Sequence, residues 1–291
     1  LAKMVTGLHT MIKEIKKVTN KNVDYLNLKD NHISIQLSLD GFSFCIYNKV
    51  TNETGAFAVY EFINNNEISP YKHMELVEDL FQKDELLQLK YQSVSVTHFN
   101  NLVTQVPKPM FQEDSMASYL QYSIKVLEND FIAYDEITNT EIINVYIPFV
   151  NINNFLIDQY GSFTYKHAST VLIENLLSEY KNSQFPVCIV NVSNKNYEIV
   201  IIKNHKLEFY NFFKYNTKED FIYYILFTAE QLNLNPEEFE LVFIGDIEKD
   251  SDLYNITFQY IRNVNFYSPT NFSENLKTIS KHSNYTLLNQ I

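Results

Sequence analysis

Ile33-Ser34-Ile35-Gln36-Leu37-Ser38-Leu39-Asp40-Gly41-Phe42-Ser43-Phe44-Cys45-Ile46-Tyr47 is the stretch on which the fold turns. Ile33, Ile35 and Leu37 alternate with polar residues, as in a half-buried strand. Leu39-Asp40-Gly41 reads as a hairpin turn, since Asp-Gly suits the positive φ of a type I′ geometry. Phe42 to Tyr47 is then the return strand. Beyond it a third strand is expected over 56–63. A helix over 71–83 places Leu76, Val77, Leu80 and Phe81 on one face, and β-type runs follow at 93–97 and 102–106.

The same order recurs in the second half. Val187-Cys188-Ile189-Val190-Asn191-Val192 is a nearly continuous apolar run, as expected of a strand covered on both faces. Ser193-Asn194-Lys195-Asn196 supplies turn chemistry, the chain returns through Ile199-Val200-Ile201-Ile202, and 206–213 is a third strand. Thr217 with Asp220 three residues later forms the signature of a capping box. The helix it opens carries Phe221, Ile222, Ile225, Leu226, Ala229 and Leu232, and Leu241-Val242-Phe243-Ile244 is a buried strand ending at Gly245. Equivalent elements lie roughly 145 to 155 residues apart, the mark of an internal duplication.

The halves differ by an insertion over about 111–161, expected to hold a helix around 115–127, a hairpin at 131–137 and 142–149, and a short helix near 151–160. A helix over 170–180, with Ile173, Leu176, Leu177 and Tyr180 in phase, crosses into the second half. The expected units are 23–168 and 169–291. Residue 1 is not Met, which suggests that part of 1–22 is a leader or appended segment with Met4 or Met11 as the natural start. The polar stretch 268–291 either docks on the body through Leu287 and Leu288 or frays.

Net charge is −12, and Arg262 is the one arginine among 23 basic residues. Such a field repels polyanions, so nucleic acid is not an expected partner. No apolar run reaches the 18 residues of a membrane span, and no signal-peptide core precedes the first strand, so a cytoplasmic location is expected. Cys45 and Cys188 sit in apolar runs with no metal or disulfide spacing. The seven His show no chelating pair, although His98 and His167 are placed to meet in the fold. The acidic run Asp246, Glu248, Asp250, Asp252 mimics a calcium loop. It has Ser251 where a Gly is required and Thr257 where the bidentate Glu belongs, and so reads as a solvated loop entering a helix.

Two strand-hairpin-strand units, each followed by a third strand, a helix and another strand, resemble the actin-like ATPase fold, and the extra subdomain is similar to that of actin-like pilus-assembly proteins. The chain also resembles the family called domain of unknown function 3822. That likeness is carried by Ser38-Leu39-Asp40-Gly41-Phe42-Ser43-Phe44, Thr104-Gln105-Val106-Pro107-Lys108-Pro109-Met110-Phe111 and the Leu287-Leu288-Asn289 ending. The resemblance implies an α/β protein of actin-like ATPase (ribonuclease H-like) fold, with two β-β-β-α-β halves, mixed sheets and a small subdomain inserted in the first half.

Actin-like ATPases hold nucleotide between their halves: hairpin tips wrap the phosphates, and a glycine pair admits the adenosine. Backbone N–H groups approach phosphate closely only where no Cβ intervenes, and a carboxylate is needed near Mg²⁺. Here the first hairpin offers Asp40, Gly41 and Ser43. The second has Asn191, Ser193, Asn194 and Lys195, with neither acid nor glycine. Gly245-Asp246 puts a carboxylate where neutral backbone is needed. Neither a P-loop nor a dinucleotide fingerprint is present, and there is no nucleophile elbow. The expectation is therefore a non-catalytic, degenerate actin-like scaffold or protein-binding module, with no catalytic residues, no metal site and no cofactor, acting through a protein partner. The alternative is an ATP-binding, actin-like ATPase or switch with atypical phosphate loops, in which those nine residues would hold Mg·ATP.

Overall fold

The computed structural model describes residues 12–20, 30–63, 69–269 and 280–290. The first half opens with an edge strand β1 (Ile12–Thr19), followed by β2 (Asn31–Ser38), β3 (Gly41–Asn48), β4 (Glu53–Phe62), α1 (Pro70–Lys83) and β5 (Ser93–Phe99). An excursion through β6 (Val103–Pro107), α2 (Met116–Gln121), β7 (Ala133–Glu136) and β8 (Ile142–Tyr146) returns to α3 (Val150–Tyr160) and β9 (Thr164–His167). The linking helix α4 (Ala168–Glu179) leads to β10 (Val187–Ser193), β11 (Asn196–Lys203), β12 (Lys206–Lys214), α5 (Lys218–Gln231), β13 (Glu240–Gly245), α6 (Asp252–Tyr260), β14 (Asn263–Phe266) and α7 (Tyr285–Leu288).

The first sheet has the order β1-β4-β3-β2-β5-β9 and the second β12-β11-β10-β13-β14. Without β1 the two orders are the same: third, second, first, then two parallel strands reached by helical crossovers. The alternation of Ile33, Ile35 and Leu37 aims all three at α1, where Leu76, Val77, Leu80 and Phe81 meet them in one buried cluster. In the second half Val190, Val192, Ile199 and Ile201 meet Phe221, Ile222 and Ile225 of α5 in the same way. The opposite face of that sheet packs on α4 through Leu172 and Leu176, which places α4 between the halves.

Three expectations change. The run at 102–106 does not join the main sheet. It pairs antiparallel with β8 in a separate three-stranded sheet, β6-β8-β7, so the excursion begins ahead of residue 111. The helix near 151–160 belongs to the first core, because Ile152 and Leu156 are buried against α1. Each half therefore extends the β-β-β-α-β order by a second crossover, α3–β9 in one half and α6–β14 in the other. Finally, 12–19 is part of the first sheet although it precedes residue 23: β1 lies antiparallel to β4 from Ile12↔Phe62 to Thr19↔Ala56. Met4 and Met11 lie outside the described residues.

Candidate functional site

Both hairpins are closed by two residues. Ser38 pairs with Gly41 and Ser193 with Asn196, leaving Leu39-Asp40 and Asn194-Lys195 at the tips. In the first tip the expected type I′ geometry is absent, because neither Asp40 nor Gly41 has a positive φ. Gly41 is required for a different reason. A Cβ there would lie 2.7 Å from the backbone oxygen of Tyr60 on the neighbouring strand. Asp40 is held by Ser38, whose Oγ donates to Asp40 Oδ1 at 2.7 Å. In the second tip Lys195 takes a positive φ of 59°.

Gly245 ends β13 with φ 86°, and an added Cβ would meet Val192 O at 2.1 Å and Asn191 Oδ1 at 2.8 Å. The chain passes tightly across the end of β10 here: Asp246 N donates to Val192 O at 2.7 Å, and Gly245 N donates to His282 O at 2.8 Å. This turn places Asp246 in the wall of the groove between the halves.

That groove is a cleft of about 600 Å³. Asp40, Gly41 and Ser43 line it from the first half, and Ser193, Asn194, Gly245 and Asp246 from the second. The structure thus brings together seven of the nine predicted residues. Asn191 and Lys195 stay outside: Asn191 donates through Nδ2 to Glu198 Oε2 at 2.7 Å, and Lys195 is exposed at its tip. Four carboxylates (Asp40, Glu61, Asp246 and Glu248) and one lysine, Lys16, face the cleft among the described residues. Asp246 remains in contact with solvent, but partial burial against the cleft walls and like charge from Asp40 push its carboxyl above the ordinary value; His282 opposes the shift.

Sequence reasoning missed two parts of the wall. Ile15 and Lys16 come from β1, and Ser280, Ser283 and Asn284 from the segment before α7. That segment is pinned by Ser280 Oγ donating to Glu248 Oε1 at 3.1 Å and by a 2.7 Å contact between His282 Nε2 and Ile247 O. The only signal for it in the sequence was the Leu287-Leu288 pair.

His98 and His167 do meet, as register partners on β5 and β9. Both are fully buried, and burial lowers them to about 3 and about 4. The loop 246–252 enters α6 with Ser251 as N-cap, its Oγ accepting from Tyr254 N at 3.3 Å. Among the described residues no group of three His, Cys, Asp or Glu is placed to hold a metal ion, and no helix is long and apolar enough to cross a membrane.

Comparison with solved structures shows the same fold. A Bacteroides thetaiotaomicron VPI-5482 protein, described as having an actin-like ATPase fold and unknown function, superposes with a TM-score of 0.74 at 24% identity. The match covers 86% of this chain and 95% of that one. The PilM–PilN type IV pilus biogenesis complex gives 0.49 at 10% identity, over 82% and 88% of the chains. The curated proteins contain no match. The fold is actin-like, and the family model described as protein of unknown function (DUF3822) matches residues 20–264, so the chain belongs to that family.

Proposed function

We propose that this chain is a non-catalytic, actin-like scaffold that binds another protein. The observation carrying this reading is the charge of the cleft. Asp40 and Glu61 line the cleft from the first half and Asp246 and Glu248 from the second, and the like charge of Asp40 adds to the upward shift of the Asp246 carboxyl. A nucleoside triphosphate placed there would set its own negative charge against these groups. Two residues ahead of Ser38 and of Ser193, the matched strand positions carry the amides Gln36 and Asn191, which bring no charge to a Mg²⁺ ion. The inserted subdomain favours the protein-binding half of the reading. It leaves Met110, Tyr122, Leu127 and Phe131 exposed within one stretch of chain, apolar surface that a partner would cover.

Thermal unfolding with Mg·ATP or Mg·ADP tests the reading. A ligand at 100 times its dissociation constant stabilises by about 2.7 kcal/mol, or roughly 5–10 °C for a chain of this size. No shift is expected at millimolar nucleotide. A shift of that size, abolished by Asp40→Ala, would establish the ATP-binding alternative. The binding surface has its own test: a protein that co-purifies with the intact chain should be lost from a Tyr122→Ser/Phe131→Ser variant, and its retention removes the insert as the interface.

A further inference from the structure

The second half has two features that the first lacks. The outer edge of the first sheet is closed by β1, which runs along β4. β12 holds the matching place in the second sheet, and among the described residues no strand pairs with its outer side. The Phe212 N–H instead donates to the side-chain Oδ1 of Asn211 at 2.9 Å, as an edge amide without a neighbouring strand does.

The other feature lies on α5. Matching the core-facing pairs Leu76-Val77 and Leu80-Phe81 with Phe221-Ile222 and Ile225-Leu226 (Leu226 being half-buried) sets Glu78, Asp79 and Gln82 of α1 against Tyr223, Tyr224 and Phe227 of α5. The outward face of α1 is charged, with Asp79 paired to Lys83 at 2.6 Å. On α5 the same positions are rings exposed by 58%, 36% and 45%. These rings join the edge strand in one continuous ladder. Phe209–Phe213, Phe213–Tyr224, Tyr224–Tyr223 and Tyr223–Phe227 have centroid separations of 6.5, 5.1, 5.2 and 6.0 Å. Open strand edges and contiguous exposed rings are both liabilities for a chain that stays alone.

We propose that β12 and α5 form a self-association face, on which a second copy of this chain docks by antiparallel β12–β12 pairing about a two-fold axis at Asn211. A two-fold contact must be self-complementary, and the strand sequence satisfies that in one register. Centred on Asn211, Tyr210 faces Phe212 of the other copy, Phe209 faces Phe213 and Glu208 faces Lys214. Aromatic and opposite-charge pairs are the ones that stabilise antiparallel strands. Centred on Tyr210, Lys206 would face Lys214; centred on Phe212, Tyr210 would face Lys214 and Asn211 would face Phe213.

The Phe212 N–H marks the outer side of the strand. By the strand period Tyr210 shares that side, so the two would exchange backbone hydrogen bonds across the axis, and the Asn211 side chain would give up its own. The bulge between Phe209 and Leu207 ends the regular strand at Glu208, so pairing runs from Glu208 to Lys214 with the aromatic residues at its middle. Because the ladder runs from β12 over α5, the rings exposed in one copy meet their equivalents in the other. This goes beyond the scaffold reading and is independent of whether nucleotide binds.

Sedimentation velocity over a concentration series should show a monomer–dimer equilibrium. Lys214→Glu sets Glu against Glu208 of the other copy twice over, and should raise the dissociation constant about tenfold or more. The double variant Glu208→Lys/Lys214→Glu should restore it. Asn211→Cys places two thiols across the axis within disulfide reach, since a non-hydrogen-bonded pair has Cα atoms ~4.5 Å apart. Mild oxidation should therefore give a covalent dimer, while Tyr71→Cys on the opposite half should not. Cys45 and Cys188 are buried and do not interfere. A wild-type chain that stays monomeric to about 100 μM, a dimer indifferent to Lys214→Glu, or equal cross-linking of the two cysteine variants overturns the proposal.

Discussion

His167 closes the N-terminus of α4 with Nδ1, which accepts from Ser169 N at 3.1 Å, while Nε2 lies 3.1 Å from the Asn100 carbonyl oxygen. Those partners require the neutral ring with its proton on Nε2. Protonating Nδ1 would remove the cap acceptor and place a cation at the positive end of the helix. Burial holds the ring at about 4, below its ordinary value of 6.5. The unfolded chain therefore takes up a proton below pH 6.5 that the folded chain refuses until about pH 4, and stability falls as pH falls through that window. His32, His73 and His98 are lowered for the same reason. Urea unfolding between pH 7 and 4.5 should show the loss, and His167→Gln should reduce its slope by about 1.4 kcal/mol per pH unit. Equal slopes would contradict this account. Glycine chemistry was only partly readable at this scale. Asp40-Gly41 looked like a turn because its composition is that of a turn, whereas Gly41 is set by the Tyr60 carbonyl pressed against it, from a strand distant in sequence. Gly245 was legible as the end of a strand, but its positive φ and its contact with Val192 were not.

Among the elements, α1, α5 and the hairpins were legible because their periodicity is local. The capping box of Thr217 and Asp220 forms as its spacing predicts, with both reciprocal bonds present. β1 was not legible, for a physical reason. Its apolar residues Ile12, Ile15 and Val18 are three apart and share no face: Ile15 is exposed at the register shift between Glu14 and Lys16, while Ile12 and Val18 pack in different clusters, so no two-residue alternation marks the strand. β6 looked like any other strand, because its sequence carries no record of which sheet it joins. The cleft was legible where it is built from hairpin tips, and illegible where β1 and 280–284 complete it through contacts distant in sequence. The turn at Gly245 joins β13 to the groove and allows a direct test. Gly245→Ala drives a Cβ into the Val192 carbonyl at an unfavourable φ, and should destabilise by about 3 kcal/mol or more in urea unfolding. A smaller change would mean that the end of β10 yields easily.

At the scale of the whole molecule, the two halves are joined by more than α4. Tyr285 is buried in the second core against Tyr267, at a ring separation of 4.9 Å. Two residues later, Leu287 is buried between Cys45 and Phe57 of the first sheet. Gln290 then reaches the same sheet, donating through Nε2 to Thr97 Oγ1 at 2.8 Å. Leu287→Ala should cost about 2–5 kcal/mol. The same change should make Cys45 accessible to a thiol reagent while Cys188 stays protected; equal protection of both would place the seal elsewhere. Both thiols are pushed up to about 12 by burial, so accessibility and acidity should change together at Cys45 alone.

This clasp also has a consequence for the order of events during synthesis. Cys45 and Phe57 emerge early, yet the side chain that covers them belongs to a residue made more than two hundred positions later. At ribosomal speeds of about 5–20 residues per second, the first sheet waits on the order of ten seconds or longer with that face bare. A newly made first half therefore carries bare apolar surface of the kind that invites aggregation, until the chain's own late segment arrives to cover it.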